Sequence, residues 1–120
     1  LTNAARAANG CSVALKADGK LTNAAQGHSA DMAAKNYFSH TGLDGRSPFD
    51  RMRDAGYSYS MAAENIAAGQ PTPAAVVNGW MNSAGHKANI LNCKLTEIGV
   101  GVAKGGSYGI YWTQNFGTPR

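Results

Sequence analysis

The sequence has no long hydrophobic run and few charged residues, and these shortages exclude several classes of protein. No stretch approaches the roughly 18 consecutive apolar residues of a membrane-spanning helix, so no membrane span is expected. Charged residues make up only 15% of the 120 residues and hydrophobic residues make up 43%. That balance excludes a disordered chain and argues against a long solvent-exposed helix or coiled coil. The length predicts a single domain over residues 1–120 that can bury a core.

Motifs of the common enzyme and nucleic-acid-binding classes are also missing. The sequence contains no GxSxG serine-nucleophile motif, no HExxH zinc motif and no glycine-rich phosphate loop between a strand and a helix. The 11 basic side chains outnumber the 7 acidic ones, but they are scattered along the chain. Because no basic stripe alternates with aromatic residues, we expect no nucleic-acid partner. The positive charge is compatible with a weak attraction to anionic cell-surface polymers.

The only two cysteines, Cys11 and Cys93, lack the CxxC spacing that a zinc knuckle needs. They are either free buried thiols or the two ends of one disulfide. Cys11 follows the predicted element boundary at residues 9–10, and Cys93 follows the one at residues 91–92. Structural disulfides are common at such boundaries, so we favour the disulfide. It would close a loop of about 80 residues and imply an oxidising compartment. No signal peptide is recognisable at Leu1, so an exported protein would be a mature or trimmed form.

Hydrophobic periodicity and capping signals predict that the helices lie mainly in the first three quarters of the chain. The apolar stripe that includes Leu21 and Met32 indicates the longest helix. Ser47 and Thr72 are typical N-caps, because each is followed by a proline at the first helical position. We expect helices at 2–9, 21–36 and 47–56, a further helix that begins at 72 and is broken at 83–85, and a helical turn at 86–91.

Alternating patterns near the C-terminus predict a β-hairpin. Strands are expected near 63–67, at 96–103 and at 108–116, and the last two are joined by a turn at 104–107. Gly99 and Gly101 lie inside a strand, so we interpret them as permitting close packing of another element rather than holding a phosphate. Helices combined with a small antiparallel sheet indicate the α+β class.

Three histidines and one glutamate are the side chains most suited to acid–base or metal chemistry. His28 lies on the apolar stripe of its helix and is interpreted as a satisfied core residue. His40 leads into a glycine-containing loop, a location typical of functional sites. Glu64 stands alone in an apolar strand, so its burial requires a partner or neutralisation. His86 begins a helical turn. Three interpretations of His40, Glu64 and His86 stay open. They provide a proton-transfer pair, they are three zinc ligands, or they are structural residues unrelated to one another.

Five motifs in order resemble the bacterial branch of the CAP superfamily. This superfamily comprises cysteine-rich secretory proteins, antigen 5 and plant pathogenesis-related 1 proteins, and its domain is also called SCP. The motifs are Asn-Tyr-Phe-Ser-His at 36–40, Ala-Glu-Asn-Ile-Ala at 63–67, Trp-Met-Asn-Ser-Ala-Gly-His-Lys-Ala-Asn-Ile-Leu at 80–91, Ile-Gly-Val-Gly at 98–101 and Tyr-Trp-Thr-Gln at 111–114. The resemblance implies secretion and a three-layer α-β-α sandwich with a small, mainly antiparallel central sheet.

The resemblance also implies a surface cavity lined by two histidines and two glutamates, where some members bind a divalent metal, commonly zinc. His40 matches the first family histidine and Glu64 the first glutamate. Ser83 occupies the second glutamate position and Tyr111 the second histidine position, so the tetrad is incomplete. We expect His86 to fill the gap. His40, Glu64 and His86 are then the candidate metal ligands, and Tyr111 and Ser83 are expected to line the cavity.

The family serves several functions, so the resemblance does not name one. The first hypothesis is an extracellular binding module, a monomer whose His40–Glu64–His86 cavity holds a small ligand or a divalent metal. The absence of an activated nucleophile favours it over an enzyme. The second is a hydrolase of a peptide or cell-wall substrate, with Glu64 and His40 as the catalytic candidates and zinc-bound water as a further option. The third is a lipid or sterol binder with an apolar groove between helices.

Overall fold

The secondary structure follows the sequence pattern closely. The computed structural model describes all of the chain, Leu1–Arg120. Its helices are α1 (Thr2–Ala8), α2 (Gly19–Lys35), α3 (Pro48–Asp54), α4 (Pro73–Met81) and α5 (Ala84–Ile90), and its strands are β1 (Lys16–Ala17), β2 (Tyr59–Ala68), β3 (Glu97–Gly105) and β4 (Gly109–Pro119). The predicted helices all form, and the α+β class is confirmed. No helix has both the length and the apolar character to cross a membrane.

Two of the helix starts are capped as the sequence predicts. The Ser47 hydroxyl accepts a hydrogen bond from the Asp50 backbone N–H, and the Asp50 carboxylate accepts one from the Ser47 N–H, which together make a capping box. The Thr72 hydroxyl accepts from the Ala75 N–H at the start of α4. These caps hold α3 and α4 in place at either end of the β2 segment.

The four strands form one sheet in the order β1-β3-β4-β2. The β3–β4 hairpin and the β2–β4 pair are antiparallel, whereas β1 pairs with β3 in parallel through Lys16 and Glu97. The predicted hairpin turn is present, and Gly106 adopts a positive φ of 61° there. The sequence analysis missed β1, because a two-residue strand carries no periodic signal. The sheet is therefore mixed, but mainly antiparallel.

Helices cover both faces of the sheet. On one face, α2 lies directly against β3, and a Cβ atom at Gly99 or Gly101 would overlap the α2 backbone near Leu21 and Ala25. This confirms that the two strand glycines permit close packing. On the other face lies the largest core cluster, which contains Leu15, Ala67, Val76, Trp80, Ile90, Leu95, Trp112 and Phe116. The α-β-α sandwich expected from the family resemblance is present.

A buried arginine ties α1 to the segment that follows α5. Arg6 is fully buried, and its guanidinium donates to the backbone carbonyls of Ile90 at 3.0 Å, Asn92 at 3.1 Å and Leu95 at 3.0 Å. Its Nε donates to the Val13 carbonyl at 3.0 Å. The carbonyls of this irregular segment are thus satisfied by one side chain.

The favoured disulfide is confirmed between Cys11 and Cys93, whose Cα atoms lie 5.7 Å apart. The bond joins the segment after α1 to the turn after α5, next to the carbonyls that Arg6 binds. No free cysteine remains.

The Gln26 side chain covers part of the outer edge of β3. Its Nε2 donates to the Val102 carbonyl at 2.8 Å, and its Oε1 accepts from the Val102 N–H at 2.9 Å. The amide of a helix residue therefore bonds both backbone groups of one strand residue, where the short β1 leaves the edge of β3 uncovered.

Candidate functional site

Glu64 is the buried centre of the candidate site. It lies in β2, and its side chain is only 2% exposed. Arg51 of α3 approaches from the α2–α3 side of the sheet, with Nη2 3.0 Å from Glu64 Oε2 and 3.2 Å from Oε1. Arg51 also donates from Nη1 to the Arg46 carbonyl at 3.1 Å. The sequence analysis required a partner for a buried Glu64, and Arg51 is that partner.

Two further side chains complete the hydrogen bonding of Glu64. His40 Nδ1 lies 2.9 Å from Glu64 Oε1, and because a carboxylate oxygen accepts, Nδ1 carries the hydrogen. The hydrogen-bond partners of Asn115 determine the orientation of its side-chain amide. Its Nδ2 donates to Glu64 Oε2 at 2.8 Å, and its Oδ1 accepts from the Ala25 N–H at 3.2 Å. With Arg51, these bonds occupy the acceptor positions of the carboxylate, so little capacity is left for proton transfer or metal binding.

His86 lies beside this pair, on the other side of the edge strand β2. Its Nδ1 is 2.8 Å from Ser83 Oγ, and its backbone carbonyl accepts from Asn65 Nδ2 at 3.2 Å. Asn65 follows Glu64 in β2 and therefore points to the opposite face of the sheet. Burial and, secondarily, the charge of His40 lower the pKa of His86. The two imidazoles thus interact electrostatically, while His86 pairs with Ser83.

The residues present do not fit the zinc site expected from the family resemblance. No group of three or more His, Cys, Asp or Glu side chains is arranged to hold a metal ion. Of the candidate ligands, Glu64 is engaged by Arg51, and its contact with His40 is a hydrogen bond rather than shared coordination. His86 turns its Nδ1 to Ser83. The His40, Glu64 and His86 side chains therefore do not form the three-ligand set that an open zinc site needs.

Tyr111 does not line an open cavity, contrary to expectation. It is fully buried and packs with Met32 and Ile66 between β4 and α2. Its hydroxyl donates to Asn36 Oδ1 at 3.4 Å and accepts from the Tyr108 N–H at 3.4 Å. The reason is its position on the face of β4 that α2 covers, which strand alternation alone does not reveal.

His28 occupies the core position that the sequence predicts. It is 1% exposed, and its Nε2 lies 2.7 Å from the Ser39 carbonyl, so Nε2 carries the hydrogen. Burial lowers the pKa of His28. The residue therefore fixes the loop that carries His40, by holding the residue before it.

An apolar groove of about 280 Å³ runs beside β2 and contains Ser83 and His86. Phe38 and Tyr108 contribute aromatic rings whose centroids lie 6.2 Å apart. Trp80 contributes another wall and is held by its Nε1–H, which donates to the Ile66 carbonyl at 3.0 Å. The complete lining is Phe38, Ile66, Ala67, Ala68, Gln70, Val76, Gly79, Trp80, Ser83, His86 and Tyr108. Neither His40 nor Glu64 belongs to it, so the groove is separate from the hydrogen-bonded cluster of His40, Glu64 and Arg51.

The sequence analysis missed Arg51 and Asn115 as partners of Glu64. Arg51 was counted only among the scattered basic side chains, although it is 7% exposed. One signal was present, because Pro48, Arg51 and Met52 share the buried face of α3 at helical spacing. Asn115 had no local signal, since its place beside Glu64 depends on the register of β2 against β4.

The α-β-α sandwich agrees with the resemblance to SCP domains, and so does the hydrogen bond that joins His40, from the loop after α2, to Glu64 on the edge strand β2. The chain belongs to the family described as "CAP: Cysteine-rich secretory protein family", which matches residues 1–116. The resemblance noted in the sequence is thereby confirmed.

Relatives in bacteria support this membership. The Bacillus subtilis protein YkwD is 50% identical over 116 residues, which are 97% of this chain and 44% of YkwD. YlbC of the same organism, described as a membrane protein, is 40% identical over 97% of this chain and 32% of its own length. An extracellular SCP-domain protein of Bacillus anthracis has a crystal structure that superposes with a TM-score of 0.88 at 37% identity, over 97% of this chain and 37% of that one. The chain thus spans less than half of each of these proteins.

Proposed function

We propose that this domain is an extracellular binding module whose groove beside β2 holds a small ligand with an apolar body and an uncharged polar head. The groove lining carries the proposal. Aromatic and aliphatic side chains form most of its surface, and Ser83 and His86 supply a polar pair within it. Apolar walls with a few convergent polar groups are typical of small-molecule sites.

The Ser83–His86 pair suits an uncharged head group. Burial lowers the pKa of His86, which favours the neutral imidazole near neutral pH. The neutral His86 imidazole and the Ser83 hydroxyl lie 2.8 Å apart and form one hydrogen bond in either tautomer. That bond uses one donor and one acceptor, so further donors and acceptors of the two groups remain for a ligand. An alcohol or ester head can use such groups, whereas a carboxylate gains no ionic partner there. Lipids with uncharged heads fall within this class.

The state of Glu64 favours binding over hydrolysis. A catalytic acid or base must exchange a proton with substrate, but Arg51, His40 and Asn115 surround both oxygens of Glu64. The carboxylate therefore stabilises the fold beside the groove and holds His40 in place.

The covalent structure and the relatives support an extracellular location. The Cys11–Cys93 disulfide is stable in an oxidising compartment. The similar Bacillus anthracis protein is described as extracellular. We therefore assign this domain to the outside of the cell, where its groove meets small amphipathic molecules.

A head-group series tests the proposal. Titrating 1-decanol, decanoate and decylammonium into ¹⁵N-labelled protein keeps the chain constant and changes only the charge of the head. We expect decanol to bind most tightly and to shift the resonances of His86, Phe38 and Tyr108. Binding that is tighter for decanoate or decylammonium would contradict the uncharged head group.

Two glycine variants provide the matched control. A side chain at Gly79 would enter the groove, since an added Cβ contacts only Gln70 Nε2 at 3.9 Å. Gly79→Leu is expected to abolish the decanol shifts. Gly19→Leu lies on α2, where a Cβ has nothing within 4 Å, and is expected to leave them unchanged. Decanol binding that survives Gly79→Leu would place the ligand elsewhere and overturn the proposal.

A further inference from the structure

A second and larger cavity lies apart from the groove, beside α2 and α3. It has a volume of about 370 Å³ and is formed by α2, the 42–46 loop and α3. It shares no residue with the groove, and only Ala24 and Ala55 of its lining are apolar side chains. Its chemistry therefore differs entirely from that of the proposed ligand groove.

Charges of both signs line this cavity in equal number. The charged residues are Asp31, Asp44, Asp54, Lys35, Arg46 and Arg51. Most of them are paired within the wall: Lys35 Nζ lies 3.1 Å from Asp31, and Arg46 lies 2.8 Å from Asp44 and 3.0 Å from Asp54. A balanced, paired lining does not select a simple anion or cation. It does offer fixed carboxylate acceptors and guanidinium donors to a ligand that has both donors and acceptors.

Arg51 supplies an unused donor in this wall. Its side chain is 7% exposed, its Nη1 donates to the Arg46 carbonyl, and its Nη2 donates to Glu64. Its Nε has no hydrogen-bond partner, although it is buried. A buried donor without a partner is uncommon in a native structure. A hydroxyl or carbonyl oxygen would satisfy this donor.

Gly27 keeps space open at the same cavity. It lies in the interior of α2, where glycine is less favourable than alanine. An added Cβ would meet no atom within 4 Å, so no packing contact requires a glycine at this position. Any larger side chain would instead occupy space at the cavity, of which Gly27 forms part of the lining.

We propose that this cavity binds one neutral sugar residue. Sugar hydroxyls can donate to the carboxylates of Asp31, Asp44 and Asp54, and a ring or substituent oxygen that reaches the buried, unpartnered Nε–H of Arg51 can accept from it. A neutral, hydroxyl-rich ring uses both kinds of group at once without disturbing the charge balance of the wall. The volume lies within the range of small-molecule sites.

The test uses N-acetylglucosamine as the neutral probe, with glucuronate and glucosamine as its anionic and cationic counterparts. We expect N-acetylglucosamine to shift the Arg51 Nε–H and Gly27 amide resonances and to bind more tightly than either charged sugar. Gly27→Leu should weaken this binding by about tenfold or more, because the side chain enters the cavity. Leucine is a strong helix former, so the variant retains α2.

Two controls separate this site from the groove. Gly19→Leu, on the same helix but outside the cavity, and Gly79→Leu, in the groove, should both leave sugar binding unchanged. An Arg51 Nε–H resonance that does not respond to N-acetylglucosamine would show that the sugar does not reach this donor and would overturn the proposal. Tighter binding of glucuronate or glucosamine, or binding that survives Gly27→Leu, would also contradict it. None of these results depends on whether decanol binds the groove.

Discussion

Arg51 and Glu64 form a buried ion pair between α3 and β2, with Arg51 Nη2 3.0 Å from Glu64 Oε2. The side chains are 7% and 2% exposed, so both charges are removed from water. This pair explains why a carboxylate can lie in an otherwise apolar strand. The resemblance led us to expect this carboxylate in the wall of a cavity, but Arg51 binds it instead, and neither residue lines the groove.

Arg51→Met is expected to destabilise the domain by about 3–5 kcal/mol, because it leaves the buried Glu64 carboxylate without its cationic partner. Urea unfolding of the wild type and the variant measures the change in the free energy of unfolding. The double variant Arg51→Met/Glu64→Leu, which removes both charges, should recover much of the loss. A single-variant cost below about 1 kcal/mol would show that the pair contributes no more than an exposed one.

Gly99→Ala should destabilise the domain strongly, by about 3 kcal/mol or more, because the new Cβ would overlap the α2 backbone at Leu21 and Thr22. Gly85→Ala is the matched control, since a Cβ there has no atom within 4 Å. Thermal unfolding of both variants checks the prediction. Equal melting temperatures for the two variants would contradict the close packing of α2 on β3.

Removal of the Cys11–Cys93 disulfide should lower the free energy of unfolding by about 4–5 kcal/mol, because the loop that it closes spans most of the chain. The double variant Cys11→Ala/Cys93→Ala, compared with the oxidised wild type in urea, measures this loss. Reducing agent should affect the wild type and leave the variant unchanged. A wild type that is insensitive to reduction would argue against a structural role for the bond.

Acid should destabilise the domain partly through His28. Burial lowers its pKa below the ordinary 6.5, so the unfolded chain takes up this proton first as the pH falls. The associated stability is complete above about pH 6.5 and is lost as the pH falls towards the folded pKa. His86, whose pKa is also lowered, contributes with the same sign.

The variant His28→Gln isolates this effect, because its amide can still donate to the Ser39 carbonyl but does not titrate. We expect its free energy of unfolding to fall less than that of the wild type between about pH 7.5 and about pH 5. Chemical denaturation across this range measures both. Parallel curves for the two proteins would show that His28 titrates alike in the folded and unfolded states.

The fold could be predicted largely from local signals. The Ser47 and Thr72 caps, the apolar stripe of α2 and the alternation of the hairpin each have a short-range physical cause, and all appear in the structure. Gly99 and Gly101 also indicated a closely packed neighbour, which proved to be α2. Only β1 was not predicted, because its two residues form a strand through their pairing with β3 and have no periodic pattern of their own.

The site was less predictable, because its contacts join residues far apart in sequence. The contact of His40 with Glu64 was expected from the family resemblance, and their hydrogen bond places them together. The roles of Arg51 and Asn115 depend on how α3 and β4 meet β2. The helical spacing of Arg51 with Met52 and Pro48 indicates that Arg51 is buried, but no local signal pairs it with Glu64. The burial of Tyr111 likewise depends on which face of β4 the helix α2 covers.

The Gln26–Val102 contact protects the molecule from its own copies. By satisfying both backbone groups of Val102, the glutamine amide imitates a neighbouring strand and denies that position to another chain. Val100 and Val102 remain partly exposed beside it, so this part of β3 would favour association with another chain if Gln26 did not cover its edge. We therefore expect one side chain of a helix to disfavour edge-to-edge polymers of this domain in concentrated solution.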